Sequence, residues 1–233
     1  MVRVRGTSYN RIKLMKKKYQ IRLYKVTRFI LYPIIIVADF FQTNCTALFT
    51  PMNIGPVNEP AWKRMILKHL SYKNYVLDYG CGVGFFCKIF NKKRYLGLEI
   101  NRKFLQRAKK INKGYKFLEL KNKKVTKFKN KINAVFINNV LHHMSDNQIN
   151  LALQFLKKNS KKNTKLLIIE PLIPKKFFSL EFFLNALDIG NFMRRKEDYI
   201  KVLKRIKILK IIQARFGYND HVVILGKFRS FKN

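Results

Sequence analysis

Residues 75–86 read YVLDYGCGVGFF, an apolar run broken by one acid, Asp78, and followed by Gly80, Gly82 and Gly84 in a chain with only ten glycines. A strand that runs into a glycine loop constrains the fold strongly. The glycines let the backbone turn tightly and approach a ligand with no Cβ in the way. In a doubly wound sheet such a loop lies at the carboxyl end of the first strand, where ligands bind. The nicotinamide-dinucleotide fingerprint Gly-x-Gly-x-x-Gly fails here at Phe85, and the Gly-Lys-Ser/Thr of a phosphate-binding P-loop is absent. A second acid, Glu99, ends the next apolar run in YLGLEI. A carboxylate there can accept both hydroxyls of a ribose, and Asp78 can receive an ammonium group directly or through water. The two acids suit a ligand with an amino-acid end and a ribonucleoside end.

The surrounding pattern alternates helix and strand. Helical spacing is expected over Trp62–Leu70, Phe85–Phe90, Phe104–Ile111 and Gln148–Leu156, with a longer helical region from Phe177 to about Ile206. The helix at Phe85–Phe90 would point its N-terminal amides at a carboxylate or phosphate. Strands are expected at Tyr75–Asp78, Tyr95–Glu99, Tyr115–Leu120, Ala134–Asn138, Leu166–Glu170, Ile208–Phe216 and His221–Phe228, the last two joined by the turn GYND. Lys121–Lys131 reads as a short helix or loop. The expected fold is α/β: a doubly wound, mostly parallel seven-stranded sheet closed by a C-terminal antiparallel hairpin, with an N-terminal helical extension. The domain would occupy residues 61–233, and residues 1–60 would form a basic amphipathic extension and a Pro-rich linker.

The stretch VLDYGCGVG followed by YLGLEI resembles the first two motifs of the class I S-adenosylmethionine-dependent methyltransferases. AVFINNVLHHMSD is similar to their fourth-strand segment, KLLIIEP to their fifth strand and HVVILGKF to their terminal antiparallel strand. The resemblance covers roughly Trp62–Phe228. It implies a Rossmann-like methyltransferase fold, S-adenosylmethionine as cofactor, Asp78, Gly80 and Gly82 around the methionine moiety, Cys81 and Gly84 in the same cofactor-binding loop, Glu99 on the ribose and Asn138 near the cofactor. The family often places an Asp after the third strand, near the adenine. Here that segment reads FLELKNKK, with Glu119 off register and Asn122 the closer match.

Methyl transfer from a sulfonium is an in-line displacement, so the protein mainly aligns nucleophile and methyl carbon. A base is needed only when the nucleophile must lose a proton. His142 and His143 follow the fourth strand, where an acceptor would sit, and histidine has a suitable ordinary pKa. The competing reading packs one of them and uses the other to cap the next helix. His69 and His221 read as structural or surface residues.

The Asn/Asp-Pro-Pro-aromatic segment of nucleobase amino-methylating enzymes has no counterpart in INNVLHHM, and Cys45, Cys81 and Cys87 do not suit a covalent adduct with cytosine. The expected acceptor is therefore a small molecule, lipid-like ones included. Phe177, Phe178, Phe182, Phe183 and Phe192 are candidates to roof an apolar acceptor pocket, with core packing as the alternative. Arg194 and Arg195 read as a solvated pair or as a clamp for an anionic acceptor group.

Charge opens two other classes. The chain carries 50 Lys plus Arg against 12 Asp plus Glu, a formal net charge of +38. Such a surface attracts nucleic acid or anionic lipid, although a Lys-, Asn- and Ile-rich composition of this kind also follows from AT-rich coding. The first 28 residues hold ten basic side chains and no acid. Ile12, Met15, Tyr19, Leu23, Val26 and Ile30 recur there at helical spacing. That helix would pack on the domain, lie on an anionic membrane surface through residues 1–41, or touch nucleic acid. An RNA-directed methyltransferase and a non-catalytic, membrane-docking protein are thus the alternatives. Phe29–Phe41 is too short to span a bilayer and contains Pro33 and Asp39. No small-x-small cleavage pattern follows it. Three cysteines without ligand spacing predict neither a disulfide framework nor a metal site, and fit a reducing cytoplasm.

Overall fold

A computed structural model describes residues 26–27, 29–31, 33–34, 59–121, 123–128, 130–175, 192–216 and 219–229. Helix α1 spans Glu59–His69 and leads into strand β1, Val76–Tyr79. Then follow β2 (Tyr95–Glu99), α2 (Arg102–Ile111), β3 (Lys116–Glu119), β4 (Ala134–Asn138) and α3 (Asp146–Lys158). The chain continues through β5 (Lys165–Pro171), α4 (Lys196–Val202), β6 (Ile206–Phe216) and β7 (Asn219–Phe228). The strands form one seven-stranded sheet in the order β3-β2-β1-β4-β5-β7-β6. The first five are parallel, and β7 runs antiparallel between β5 and β6.

The parallel strands are apolar on both sides because each face is covered. Leu77, Leu96, Leu98, Val135 and Ile137 pack with Ile149, Leu153 and Leu156 of α3. Val76, Tyr95, Phe136 and Leu167 pack on the other face with Trp62 and Ile66 of α1 and Leu105 of α2. The two-residue period of a strand then fixes the polar positions. Asp78, Glu99 and Asn138 share the α1/α2 face at the carboxyl ends of three neighbouring strands. Ser145 caps α3, accepting from Gln148 N while the Gln148 side chain accepts from Ser145 N, so neither histidine serves as the cap.

The helix expected at Phe85–Phe90 is instead a single 3-10 turn, Cys87–Ile89. Bonds there run from residue i+3 to residue i, as in Cys87 N to Gly84 O and Phe90 N to Cys87 O. Gly84 enters with φ at +77° and Asn91 already caps the next turn, so too few residues remain for an α-helix. No long helix dipole therefore faces the glycine loop. Of the helical region expected from Phe177 onward, residues 176–191 lie outside the described residues and only α4 is helical within them. Ile12, Met15, Tyr19, Leu23, the linker at 42–58 and Gly217–Tyr218 of the GYND turn also lie outside them. Lys123–Phe128 forms a 3-10 helix. No helix among the described residues is long and apolar enough to cross a membrane.

Gly97 sits mid-strand in β2, where glycine weakens a sheet. Its place is set by crowding: an added Cβ would lie 2.6 Å from Phe117 Cδ1 and 2.8 Å from Cys81 Sγ. Gly97→Ala is expected to cost about 1–3 kcal/mol through displacement of the Phe117 ring. Chemical denaturation measures this, and an unchanged midpoint would show that the ring yields freely.

Candidate functional site

The glycine loop folds back over the end of β2. Gly80 N and Cys81 N both donate to Leu98 O, at 2.8 and 2.9 Å. Gly80 and Gly82 have φ of +74° and +55°, the left-handed region open to glycine. A Cβ on Gly80 would meet Val140 Cγ2 at 2.6 Å, so the loop after β4 presses directly on the loop after β1. A Cβ on Gly82 would meet nothing within 4 Å, which leaves the ligand side of the loop open. Asn112, at the end of α2, donates to Val83 O at 2.9 Å and braces the loop from behind. The Cys81 thiol is half-buried, and burial raises its pKa well above the ordinary value.

Asp78 is buried, and its Oδ2 accepts a 2.6 Å bond from the Tyr95 hydroxyl. Burial, aided by repulsion from Glu99 and opposed by that bond, raises its pKa to about 7. Glu99 is buried too, but its carboxylate holds the protein's own backbone. Oε2 accepts from Gly82 N at 2.8 Å; Oε1 accepts from Ile100 N at 2.7 Å and Asn101 N at 2.8 Å. Glu119 pairs with Glu99 in register at the end of β3 and meets the exposed Arg102 at 3.2 Å. Asn122 lies outside the described residues.

Across the site, Asn138 ends β4 and Asn139 follows it. Their Oδ1 atoms are buried without a hydrogen-bond partner among the described residues. Asn139 has φ of +54°, the one non-glycine residue with positive φ among those described. Strain of that kind costs about 1–3 kcal/mol and persists only where neighbours impose it. Here the brace is Glu170, at the end of β5 and fully buried. Its Oε1 accepts from Val140 N and Leu141 N at 2.8 and 2.7 Å. Its Oε2 accepts from His142 N at 3.2 Å and lies 2.9 Å from His142 Nδ1. His142 is buried, while His143 is exposed and leans against it, with ring centroids 4.0 Å apart and ring planes tilted by 42°.

Arg194 corrects both readings of the arginine pair. It is 8% exposed, and all five of its N–H groups are used within the protein. Nη1 donates to Leu141 O and Phe192 O, Nη2 to Met144 O and Asp146 Oδ1, and Nε to Asp146 Oδ1. It ties the segment after the histidines to residues 192–194 and has no donor left for an acceptor anion. Phe192 is 40% exposed; Phe177, Phe178, Phe182 and Phe183 lie outside the described residues.

The structure thus brings Asp78, the three loop glycines, Cys81, Glu99 and Asn138 together, with His142 and His143 beyond them. Sequence reasoning missed Glu170 and Tyr95 and gave Arg194 the wrong role. For Glu170 a signal existed: it ends an apolar run, KLLIIEP, as Asp78 interrupts VLDY. The residues suit S-adenosylmethionine. Gly82 offers open space on the ligand side, two buried carboxamide oxygens await donors, and carboxylates flank the loop.

A sheet ordered 3-2-1-4-5-7-6, with a glycine loop after its first strand and an acid ending its second, defines the class I S-adenosylmethionine-dependent methyltransferases. The chain belongs to this family: the family model described as "Methyltransferase domain" matches residues 71–205. Solved structures share the fold. A methyltransferase dependent on S-adenosylmethionine from Aquifex aeolicus has 18% identity and a TM-score of 0.56, covering 77% of this chain and 98% of its own. A second, from Anabaena variabilis, has 16% identity and a TM-score of 0.55, covering 76% and 85%. Human N-acetylserotonin methyltransferase, solved with S-adenosylmethionine, has 16% identity and a TM-score of 0.52, covering 72% and 52%. A comparison with curated proteins finds no match.

Proposed function

We propose that the chain binds S-adenosylmethionine against the Gly80–Gly84 loop and methylates a small-molecule acceptor, lipid-like ones included. The observation that carries the reading is the alignment of Asp78, Glu99 and Asn138 on one sheet face at the carboxyl ends of β1, β2 and β4. When bound, S-adenosylmethionine supplies an electrophilic sulfonium methyl group. Asp78 receives the ammonium group. Glu99 exchanges the Gly82 amide for the ribose hydroxyls. Asn138 and Asn139 offer their oxygens to ligand donors, and Cys81, Gly80 and Gly84 shape the wall.

His142 is the preferred base for an acceptor that must lose a proton. The Glu170 carboxylate holds a hydrogen on His142 Nδ1, which makes Nε2 the basic nitrogen. The exposed His143 is the second candidate. The small-acceptor class is supported by INNVLHHM at the end of β4 and after it, which lacks the nucleobase-type segment, and by the small acceptor in the name of N-acetylserotonin methyltransferase. An RNA substrate is disfavoured by the spread of the cations. Lys63, Arg64 and Lys68 lie on α1, Lys109 and Lys110 on α2, Lys157 and Lys158 on α3, and Lys207, Lys210 and Arg215 on β6, at both edges of the sheet.

Calorimetric titration with S-adenosylhomocysteine is expected to show one site. In Glu99→Ala the affinity should fall about tenfold to a hundredfold, the effect of losing charged hydrogen bonds. Unchanged affinity would remove the ribose assignment. Labelled cofactor incubated with protein and fractionated cell extract should mark the lipid or small-molecule fraction; label in RNA alone would overturn the acceptor class.

A further inference from the structure

We infer that the N-terminal segment around Val26–Ile34 docks on an anionic lipid surface, lying in the plane of the interface. Within the described part of this segment, Val26, Thr27, Phe29, Ile30, Pro33 and Ile34 are helical, and Leu31 N donates to Thr27 O at 3.0 Å. Val26, Phe29, Ile30 and Ile34 are 47, 83, 69 and 53% exposed. Leu31 is a turn, so Val26, Phe29 and Ile30, spaced by three and four, share one helical face, while Ile34 belongs to the helical stretch that follows the turn. That face does not pack on the domain, although an apolar stripe normally does.

The sequence around it supplies the opposite character. Ten cations and no acid occur in the first 28 residues, and the first acid is Asp39. Exposed apolar side chains within a sequence rich in Lys and Arg are the composition of an interfacial segment. Cations near the surface gain from anionic headgroups, while the apolar side chains enter the acyl boundary. A nucleic acid would satisfy the cations, but Val26, Ile30 and Ile34 gain nothing from phosphates and cannot stack as aromatic rings do. A second copy would cover the apolar face but bring two sets of ten cations together. Spanning is not the mode, because Phe29–Phe41 falls short of a bilayer's thickness. This inference stands apart from the methyl-transfer reading, since none of these residues is among those assigned to the site.

The test uses the full chain with two kinds of vesicle, pure phosphatidylcholine and phosphatidylcholine doped with phosphatidylglycerol. Cosedimentation is expected with the doped vesicles alone and should weaken with salt. The double variant Phe29→Ser, Ile30→Ser should bind the doped vesicles at least about tenfold more weakly, with the melting temperature of the domain unchanged. Four results would overturn the inference. Wild-type protein could ignore the doped vesicles, or the double variant could bind them as wild type does, leaving net charge as the cause. The double variant could melt lower, which would mean that the two side chains pack on the domain. It could also lose affinity for duplex RNA while keeping its affinity for vesicles.

Discussion

Glu170→Ala is expected to lower the unfolding free energy by roughly 3–5 kcal/mol, with a matching fall in denaturation midpoint. The change strips the acceptor from three backbone amides and one imidazole in a buried setting, and each orphaned donor costs about 1–3 kcal/mol, less whatever entering water restores. Glu170→Gln separates the fold from the chemistry. Its carbonyl can still accept from Val140 N and Leu141 N, but its NH2 group then faces His142, at the cost of the longest of the three backbone bonds, from His142 N. The imidazole must offer Nδ1 as an acceptor, which moves its proton to Nε2 and removes the basic nitrogen. Glu170→Gln should therefore stay folded and keep its affinity for S-adenosylhomocysteine while single-turnover methyl transfer drops about 10²–10⁴-fold. Transfer at the wild-type rate would show that His142 is not the base.

Two buried groups should oppose one another in the dependence of stability on pH. Burial raises Asp78 from 3.8 to about 7. The stability linked to its proton is complete below pH 3.8 and is lost as pH rises through 7, a difference of about 4 kcal/mol. His221, buried against Trp62 and Phe216, runs the other way. Burial depresses it from 6.5 to about 4, against the pull of the Asn219 carbonyl. Its contribution is complete above pH 6.5 and is lost as pH falls through 4, about 3 kcal/mol. The wild-type profile between pH 4 and 7 should therefore be nearly flat, and the single variants should reveal the slopes. Asp78→Asn should gain stability with rising pH across that window, and above pH 7 it should exceed wild type while binding cofactor more weakly. His221→Gln should lose stability with rising pH. Denaturation midpoints at a series of pH values test both; single variants as flat as wild type would mean that neither group titrates as argued.

What could be read from the sequence was whatever lies within one element or between neighbours in the chain. The seven strands announced themselves as apolar runs between polar turns, and Asp78 and Glu99 stood out as acids ending such runs. The Phe85–Phe90 segment misled because Phe86, Ile89 and Phe90 have helical spacing, which one 3-10 turn bearing the same residues also satisfies. Arg194 looked like half of a surface pair. Its five bonds go to four acceptors on residues 141, 144, 146 and 192, and the first three are within reach only because β4 and β5 lie side by side and end together. The roles of Glu170 and the left-handed Asn139 likewise depend on β4 and β5 ending in register. Tyr95 passed for core, since nothing local shows that its hydroxyl meets Asp78 in the adjacent strand.

The bond from Gly82 N to Glu99 makes the protein's own backbone a competitor for the carboxylate proposed to hold the ribose. Oε1 already accepts twice and Oε2 once, so a first hydroxyl can join at Oε2, whereas a second must displace a backbone amide. The affinity of a nucleoside at this position is then the difference between two sets of hydrogen bonds. A deoxy analogue leaves the amide where it is and forgoes only the bond that its missing hydroxyl would have made.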